Sequence, residues 1–318
     1  MIASKVSIIV SNFNKANYVS ETIQSVINQT NLNWELLIID DGSSDDSVNI
    51  IESFSIKDIR IQLFTLFANH GANYCRNYGL KRSHGQYVIF LDADDLLSPK
   101  CLANRIDFIE NTDLDFCVFT LEVFKNNIGD LKRFWKPNTK QPLKDFLSHN
   151  LPWQTMQPIW RKGFLNRIGG FDETFERLQD VELHTRALLI NDVQFDQVCS
   201  TPDCFYRVDE VRKNYDSFEF LNRWVSSAVK YYLKFNKQIN DSNYLIGTIY
   251  HTYNQILFQY KSKLITQKDF SLLEKTLFDE KLKLSSFHKF LFILVKKVNL
   301  LPFRIIGFNY VMRKLIVI

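Results

Sequence analysis

From Val6 to Leu121 the chain alternates between short, continuous apolar runs and longer stretches whose apolar residues recur at helical spacing. Val6 to Val10, Trp34 to Ile39, Ile59 to Phe64 and Tyr87 to Leu91 read as buried strands. Between them, Val19, Ile23, Val26 and Ile27 fall on one stripe of a helix, and Ser47 to Phe54 and Gly71 to Ser83 carry two more. Pro99 to Glu110 reads as a fourth helix, and Phe116 to Leu121 is a further apolar run. Strand–helix alternation with short connections predicts an α/β fold, a mostly parallel sheet flanked by helices.

Residues 125–162 are less regular, interrupted by Pro137, Pro142, Pro152 and Pro158, and read as loops and short elements over the sheet. Arg167 to Glu173 forms a turn, and a helix carrying Asp180, Glu182, His184 and Arg186 follows. Phe195 and Tyr206 lie in short strands. After about Asp209 the pattern is helical throughout: Tyr215 to Phe235, Tyr244 to Lys263, Lys268 to Asp279, Phe287 to Val298 and Phe303 to Ile316. The expected organisation is an α/β domain over residues 1–210 and a helical C-terminal region over 211–318.

Composition changes this picture little. With 318 residues and 46% hydrophobic content the chain can bury a sizeable core, and 10 Gly and 7 Pro argue against a fibrous or disordered chain. The net charge of +4 says less than its distribution. The five cysteines form no Cys-x-x-Cys pair and no zinc-type spacing, which favours a reduced, cytoplasmic setting. The N-terminal MIASKVSIIVSNFN lacks the long apolar core and cleavage site of a signal peptide. No run approaches the ~20 apolar residues that span a bilayer.

The chemistry gathers where strands end. Ser11-Asn12-Phe13-Asn14, Asp40-Asp41-Gly42-Ser43 and Asp92-Ala93-Asp94-Asp95 each follow a predicted strand. In parallel sheets ligands bind beyond the carboxyl ends of the strands, so one rim collects all three clusters. No Gly-x-Gly-x-x-Gly follows the first strand, which argues against a nicotinamide enzyme. Three carboxylates at the end of Tyr87–Leu91 fit either an acidic loop or a site for Mg²⁺ or Mn²⁺ bridged to a diphosphate. No Ser-His-Asp or Cys-His signature is present.

VSIIVSNFNKANYVSETIQSVINQT, ELLIIDDGSSDDS, ANHGANYCRNYGLKRSHGQYVIFLDADDLLSP and IGGFDETFERLQDVELHTRAL occur in this order. The ordered set, over residues 5–210, resembles the family 2 glycosyltransferases. That resemblance implies the GT-A fold, a Rossmann-like and mostly parallel sheet, here with a C-terminal helical extension. It also implies transfer of a sugar from a nucleotide diphosphate donor with inversion at the anomeric carbon.

Carried over from the family, Ser11 and Phe13 line the base pocket. Phe13 stands where Tyr is frequent and offers a stacking face for uracil, so a UDP-sugar is the favoured donor. Asp41 accepts a hydrogen bond from base or ribose, while Asp40 is structural; the other reading of this motif is a tight turn at Gly42. Arg76 touches base or phosphates, or pairs with a nearby Asp. Asp92 faces ribose or metal, Asp94 binds Mn²⁺ or Mg²⁺, and Asp95 holds neighbouring loops. Asp180 is the general base, or else a helix cap.

Cys75 replaces the usual Ala ahead of Arg76 and Asn77, and two further positions depart from the family. Gln179 replaces the first acid of the Glu-Asp pair, and Asp209 stands where many relatives have His. These departures sustain an alternative, a catalytically silent GT-A domain that binds nucleotide-sugar or scaffolds a synthase. A phosphatase with an Asp-x-Asp nucleophile fits worse, because three predicted strands precede the motif. No acidic residue follows Glu280, and eight Lys or Arg are interleaved with apolar residues from Lys281 to Ile318. That tail suits an anionic membrane surface, at the inner face of the cell membrane and near a lipid-linked or saccharide acceptor, or else packing on protein. Its mixture of bulky apolar and basic residues does not suit nucleic acid.

Overall fold

The computed structural model describes residues 6–208, 216–239, 242–279, 281–301 and 305–317. Their order is β1 (Val6–Asn12), α1 (Val19–Ile27), β2 (Trp34–Asp40), α2 (Ser47–Ser55), β3 (Ile61–Thr65), α3 (Ala72–Arg82), β4 (Tyr87–Asp92), β5 (Leu96–Leu97) and α4 (Cys101–Ile109). Then come β6 (Phe116–Phe119), β7 (Leu121–Phe124), β8 (Arg133–Trp135), α5 (Pro142–Leu147), β9 (Pro158–Arg161), α6 (Lys162–Arg167), α7 (Gln179–Leu188), β10 (Phe195–Val198) and β11 (Cys204–Arg207). Five helices follow: α8 (Ser217–Phe235), α9 (Asn243–Lys261), α10 (Gln267–Leu277), α11 (Ser286–Asn299) and α12 (Phe308–Val317).

The chain divides into two compact units. The first draws its described residues from Met1–Lys140, Pro152–Glu173 and Arg186–Glu210; the second draws on Gln141–Leu151, Thr174–Thr185 and Val211–Ile318. Asp209 lies outside the described residues.

The first unit is built on a seven-stranded sheet of order β10-β6-β9-β4-β1-β2-β3. Strands β4, β1, β2 and β3 run parallel, and β9 runs antiparallel between β4 and β6. The central strands are apolar on both faces because both are covered, and Val6, Ile8, Ile9, Leu36 to Ile39 and Val88 to Phe90 are fully buried. The apolar stripe Val19, Ile23 and Val26 of α1 belongs to the same core.

The apolar run at Phe116 to Leu121 divides at Thr120. Its first half, β6, stays in the main sheet, and its second half, β7, enters a four-stranded sheet of order β5-β11-β7-β8. Arg105, wholly buried on α4, binds Asp203 through two hydrogen bonds of 2.7 Å and Met156 O at 3.0 Å. This fixes the approach to β11; breaking such a buried pair costs about 3–5 kcal/mol. β9 occupies a stretch that the sequence suggests is irregular, and Pro158 sits at its first residue, where a missing N–H is tolerated.

The second unit is helical. Leu221, Val225, Ala228, Tyr232 and Phe235 repeat along one face of α8 and are buried. The starts of α8 and α10 follow capping rules: Asp216 accepts from the N–H groups of Phe218 and Glu219, and Thr266 forms a reciprocal box with Asp269 ahead of α10. Among the described residues no helix is long and apolar enough to cross a membrane.

Candidate active site

Strand register brings the polar clusters together. Asn12 pairs with Asp40 across β1 and β2, and Ser11 pairs with Asp92 across β1 and β4. The loops leaving these strands therefore emerge side by side in the first unit.

Hydrogen bonds join the first two loops into one platform. Asn12 Nδ2 donates to Asp40 Oδ2 at 2.7 Å, and Asp40 also accepts from the Ser43 amide and hydroxyl at 2.9 and 2.6 Å. Asp40 thus closes the turn, and Gly42 takes the positive φ of 76° that this turn requires. Asn14 Oδ1 accepts from Ser44 N at 2.8 Å, Asp45 accepts from Ala16 N at 2.9 Å, and Lys15 N donates to Ser47 Oγ at 2.9 Å. Ser11 is half-buried and the Phe13 ring is 45% exposed.

Asp41 is buried, and its two oxygens accept the main-chain N–H groups of His70 and Gly71, each at 2.8 Å. The carboxylate pins the segment ahead of α3 and also meets the Cys75 thiol. Arg76 on α3 is buried, donates to Asp92 Oδ1 at 2.8 Å, and lies over the Phe171 ring. The same helix holds the Phe171–Glu173 turn: Asn77 Nδ2 donates to Phe171 O and Glu173 Oε1, Phe171 N donates back to Asn77 Oδ1, and Asn73 Nδ2 donates to Asp172 O. Gly170 has φ 65°, and a Cβ there would meet Asn77 Oδ1 at 2.5 Å, so the turn requires glycine.

Asp94 and Asp95 leave β4 with different duties. Asp95 accepts from Arg207 N at 2.8 Å and secures β11. The Asp94 carboxylate is paired with Lys15 Nζ at 2.5 Å, while Arg207 Nε donates to the Asp94 carbonyl at 2.9 Å. Arg207 also binds Glu21 Oε2 at 2.6 Å. Sequence reasoning missed Lys15 and Arg207. Lys15 is one of many lysines in the sequence, but Arg207 sits on a strand-like stretch, and a charged residue in such a stretch signals a buried partner.

Asp180 belongs to the second unit. It stands half-buried in the first turn of α7, and its Oδ1 accepts from Val181 N at 2.9 Å. Its neighbours on the inner side are structural. Glu182 is fully buried and paired with Lys234 Nζ at 2.6 Å. His184 is buried against Phe146, and burial pushes its pKa down to about 3, so it stays neutral at physiological pH. Burial also pushes the thiols of Cys75, Cys101, Cys117 and Cys204 up, which makes them poor nucleophiles. All five cysteines are free.

Among the described residues there is no group of three or more His, Cys, Asp or Glu able to hold a metal by itself. Asp94, with Asp92 two residues away, still fits a hard divalent ion. Both donate only oxygen, and Mg²⁺-type sites on phosphate substrates need just one or two carboxylates. Asp94 is also a buried carboxylate that already requires a cation beside it.

A mostly parallel sheet with its acidic and aromatic loops on one rim defines a GT-A α/β domain. The chain belongs to glycosyltransferase family 2: residues 7–175 match the family described as Glycosyl transferase family 2. The E. coli UDP-Glc:alpha-D-GlcNAc-diphosphoundecaprenol beta-1,3-glucosyltransferase WfgD is 38% identical over 122 residues, 38% of this chain and 47% of that protein. The chain spans 16% to 47% of the length of WfgD and five other curated relatives.

Two solved structures share the fold at low identity. One is S. aureus TarS 1-349 in complex with UDP-GlcNAc, with TM-score 0.55, 18% identity, and coverage of 86% of this chain and 87% of that one. The other is the mannosyltransferase PcManGT from Pyrobaculum calidifontis in complex with GDP-Man and Mn²⁺, with TM-score 0.54, 14% identity, and coverage of 98% and 86%.

Proposed function

We propose that this chain is an inverting glycosyltransferase that moves a sugar from a nucleotide diphosphate donor to a saccharide or lipid-linked acceptor in surface polysaccharide synthesis. The observation that carries this reading is the register of β1, β2 and β4, which sets Ser11 beside Asp92 and Asn12 beside Asp40 in a family 2 chain. A UDP-sugar is the favoured donor, and WfgD, whose name specifies UDP-Glc and a diphosphoundecaprenol-linked acceptor, supports that choice.

In this reading the exposed Phe13 ring stacks on the base. Ser11 and Asp41 border the nucleoside, and Arg76 keeps Asp92 turned toward ribose or metal. Asp94 holds Mn²⁺ or Mg²⁺, which supplies Lewis-acid stabilisation to the departing diphosphate when bound. Asp180 takes the proton from the acceptor hydroxyl. A single displacement needs no covalent nucleophile, in keeping with the neutral, buried thiols and His184.

Incubation with a panel of nucleotide-sugars and Mn²⁺ tests the activity. Release of nucleoside diphosphate from one donor, increased by an acceptor saccharide, is the expected result. Gln179 in place of an acid favours the silent-scaffold reading; donor binding with no diphosphate release from any sugar would establish that reading and overturn ours.

The proposal includes peripheral attachment to an anionic membrane at the cytoplasmic face. Helix α11 buries Leu291, Phe292 and Val295 in the helical core, yet its outer face is also apolar, with Phe287, Phe290 and Ile293 55%, 60% and 55% exposed. Exposed Lys289 and Lys297 flank that face, and Ile306, Tyr310 and Val311 add exposed apolar surface at α12. An apolar stripe bordered by cations, with no acidic residue after Glu280, complements anionic lipid. The full chain should float with phosphatidylglycerol vesicles, and the variant carrying Phe287→Ser, Phe290→Ser and Ile293→Ser should float at least about 10-fold less. Equal flotation of the two would remove α11 as the contact.

A further inference from the structure

We propose that the β7–β8 hairpin is a second membrane contact, whose tip enters an anionic lipid surface through Ile128 and Leu131 and is held there by the cations that follow it. The inference rests on the membrane reading given above and adds a contact within the first unit, separate from the C-terminal helices.

β7 and β8 pair antiparallel as far as Val123 and Arg133, and β8 is the edge strand of its sheet. Beyond the last pair the chain projects: Asn126 to Phe134 are nine consecutive exposed residues. The projection is nevertheless fixed. Asp130 accepts from the N–H groups of Lys125, Asn126 and Asn127 at 3.1, 2.8 and 3.1 Å, and its own N–H donates to Asn127 O at 3.0 Å. A tip already ordered loses little conformational entropy when it docks. It presents Ile128 at 49% exposure and Leu131 at 43%, with Phe134 at 48% further back on β8.

The charge beside this tip has one sign. Lys132, Arg133, Lys136 and Lys140 are exposed, and none of the four pairs with a carboxylate among the described residues. Asp130 is the single acid between Asn126 and Lys140, and it is the group that closes the turn. Cations on an edge strand also discourage pairing with another chain, which accounts for Arg133 on β8. That role does not call for bulky aliphatic residues at the tip. Apolar tip and cationic base together complement an anionic bilayer: Ile128 and Leu131 reach the acyl boundary, while Lys and Arg stay at the headgroups, each adding attraction within a Debye length of the surface. A soluble acidic saccharide would use the cations and leave the aliphatic tip in water.

The test is flotation of the full chain with phosphatidylglycerol and with phosphatidylcholine vesicles. Wild type should float with the first and not the second. Ile128→Ser combined with Leu131→Ser should float at least about 10-fold less, and so should Lys132→Gln, Arg133→Gln and Lys136→Gln combined. These are exposed positions, so both variants should melt with the wild type. An environment-sensitive dye on Asn127→Cys, in a Cys199→Ser background whose other four cysteines are buried, should shift to the blue on phosphatidylglycerol vesicles. If both hairpin variants float like wild type while the α11 variant does not, the hairpin contact is overturned and the membrane reading stands. A dye that stays in water on vesicles carrying the protein overturns tip insertion, and equal flotation with both lipids overturns the role of the cations. Hairpin variants that float normally but turn a dimer into a monomer would make the tip a contact between copies instead. If wild type floats with neither lipid, the membrane reading falls and this inference with it.

Discussion

Replacing Asp94 by Asn should lower Mn²⁺-dependent sugar transfer by about 10³-fold, the rate equivalent of the several kcal/mol that a Lewis acid supplies at a departing oxyanion. The substitution keeps side-chain shape and removes the charge, so the loop at the end of β4 retains its other anchors. Asp95 still receives Arg207 N, and Arg207 still reaches the carbonyl of residue 94. A fall in activity can therefore be assigned to the carboxylate. Donor binding should become insensitive to Mn²⁺ in the variant. Wild-type transfer rates at saturating Mn²⁺ would remove Asp94 from the site.

Asp180→Asn should lower kcat by about 10²- to 10⁴-fold, the usual range for loss of a general base, while leaving the donor Kd within about twofold. In this reading binding and chemistry separate because the residues proposed for the nucleotide, Ser11, Phe13, Asp41, Arg76 and Asp92, belong to the first unit, whereas Asp180 belongs to the second. Asn can accept from Val181 N as Asp does. The internal anchors of this helix, the Glu182–Lys234 pair and the Thr185–Tyr231 hydrogen bond, are untouched. Full turnover in Asp180→Asn would end its assignment as the base.

The α/β core was legible because its strands are buried on both faces. Val6 to Val10, Trp34 to Ile39 and Tyr87 to Leu91 are uninterrupted apolar runs, and they are β1, β2 and β4 within a residue or two. The rim was legible for the same reason, since polar clusters directly after such runs have only one end of the sheet to occupy. β9 was not legible. Pro-Ile-Trp-Arg is too short to show a period and starts with proline, and its place between β4 and β6 comes from long-range pairing of Trp160 with Phe116 and Val88. The grouping of α5 and the start of α7 with the C-terminal helices is equally tertiary, carried by contacts such as Thr248 to Leu147 O.

Within the site, the acids were visible and their partners were not. Asp92, Asp94 and Asp95 stand out in the sequence, but which one is held by Arg76, which by Lys15 and which by Arg207 depends on strand register and side-chain reach. His184 illustrates the converse. Its neighbours in sequence, Asp180 and Glu182, suggest chemistry, yet burial beside Phe146 makes it a neutral packing residue.

Calorimetric titration of UDP into the full chain, with and without Mn²⁺, tests the central claim most directly. Mn²⁺ should tighten UDP binding at least about 10-fold in the wild type and leave Asp94→Asn unchanged. Equal affinity with and without the ion in the wild type, or an undiminished Mn²⁺ effect in Asp94→Asn, would contradict a nucleotide diphosphate held through a cation on Asp94.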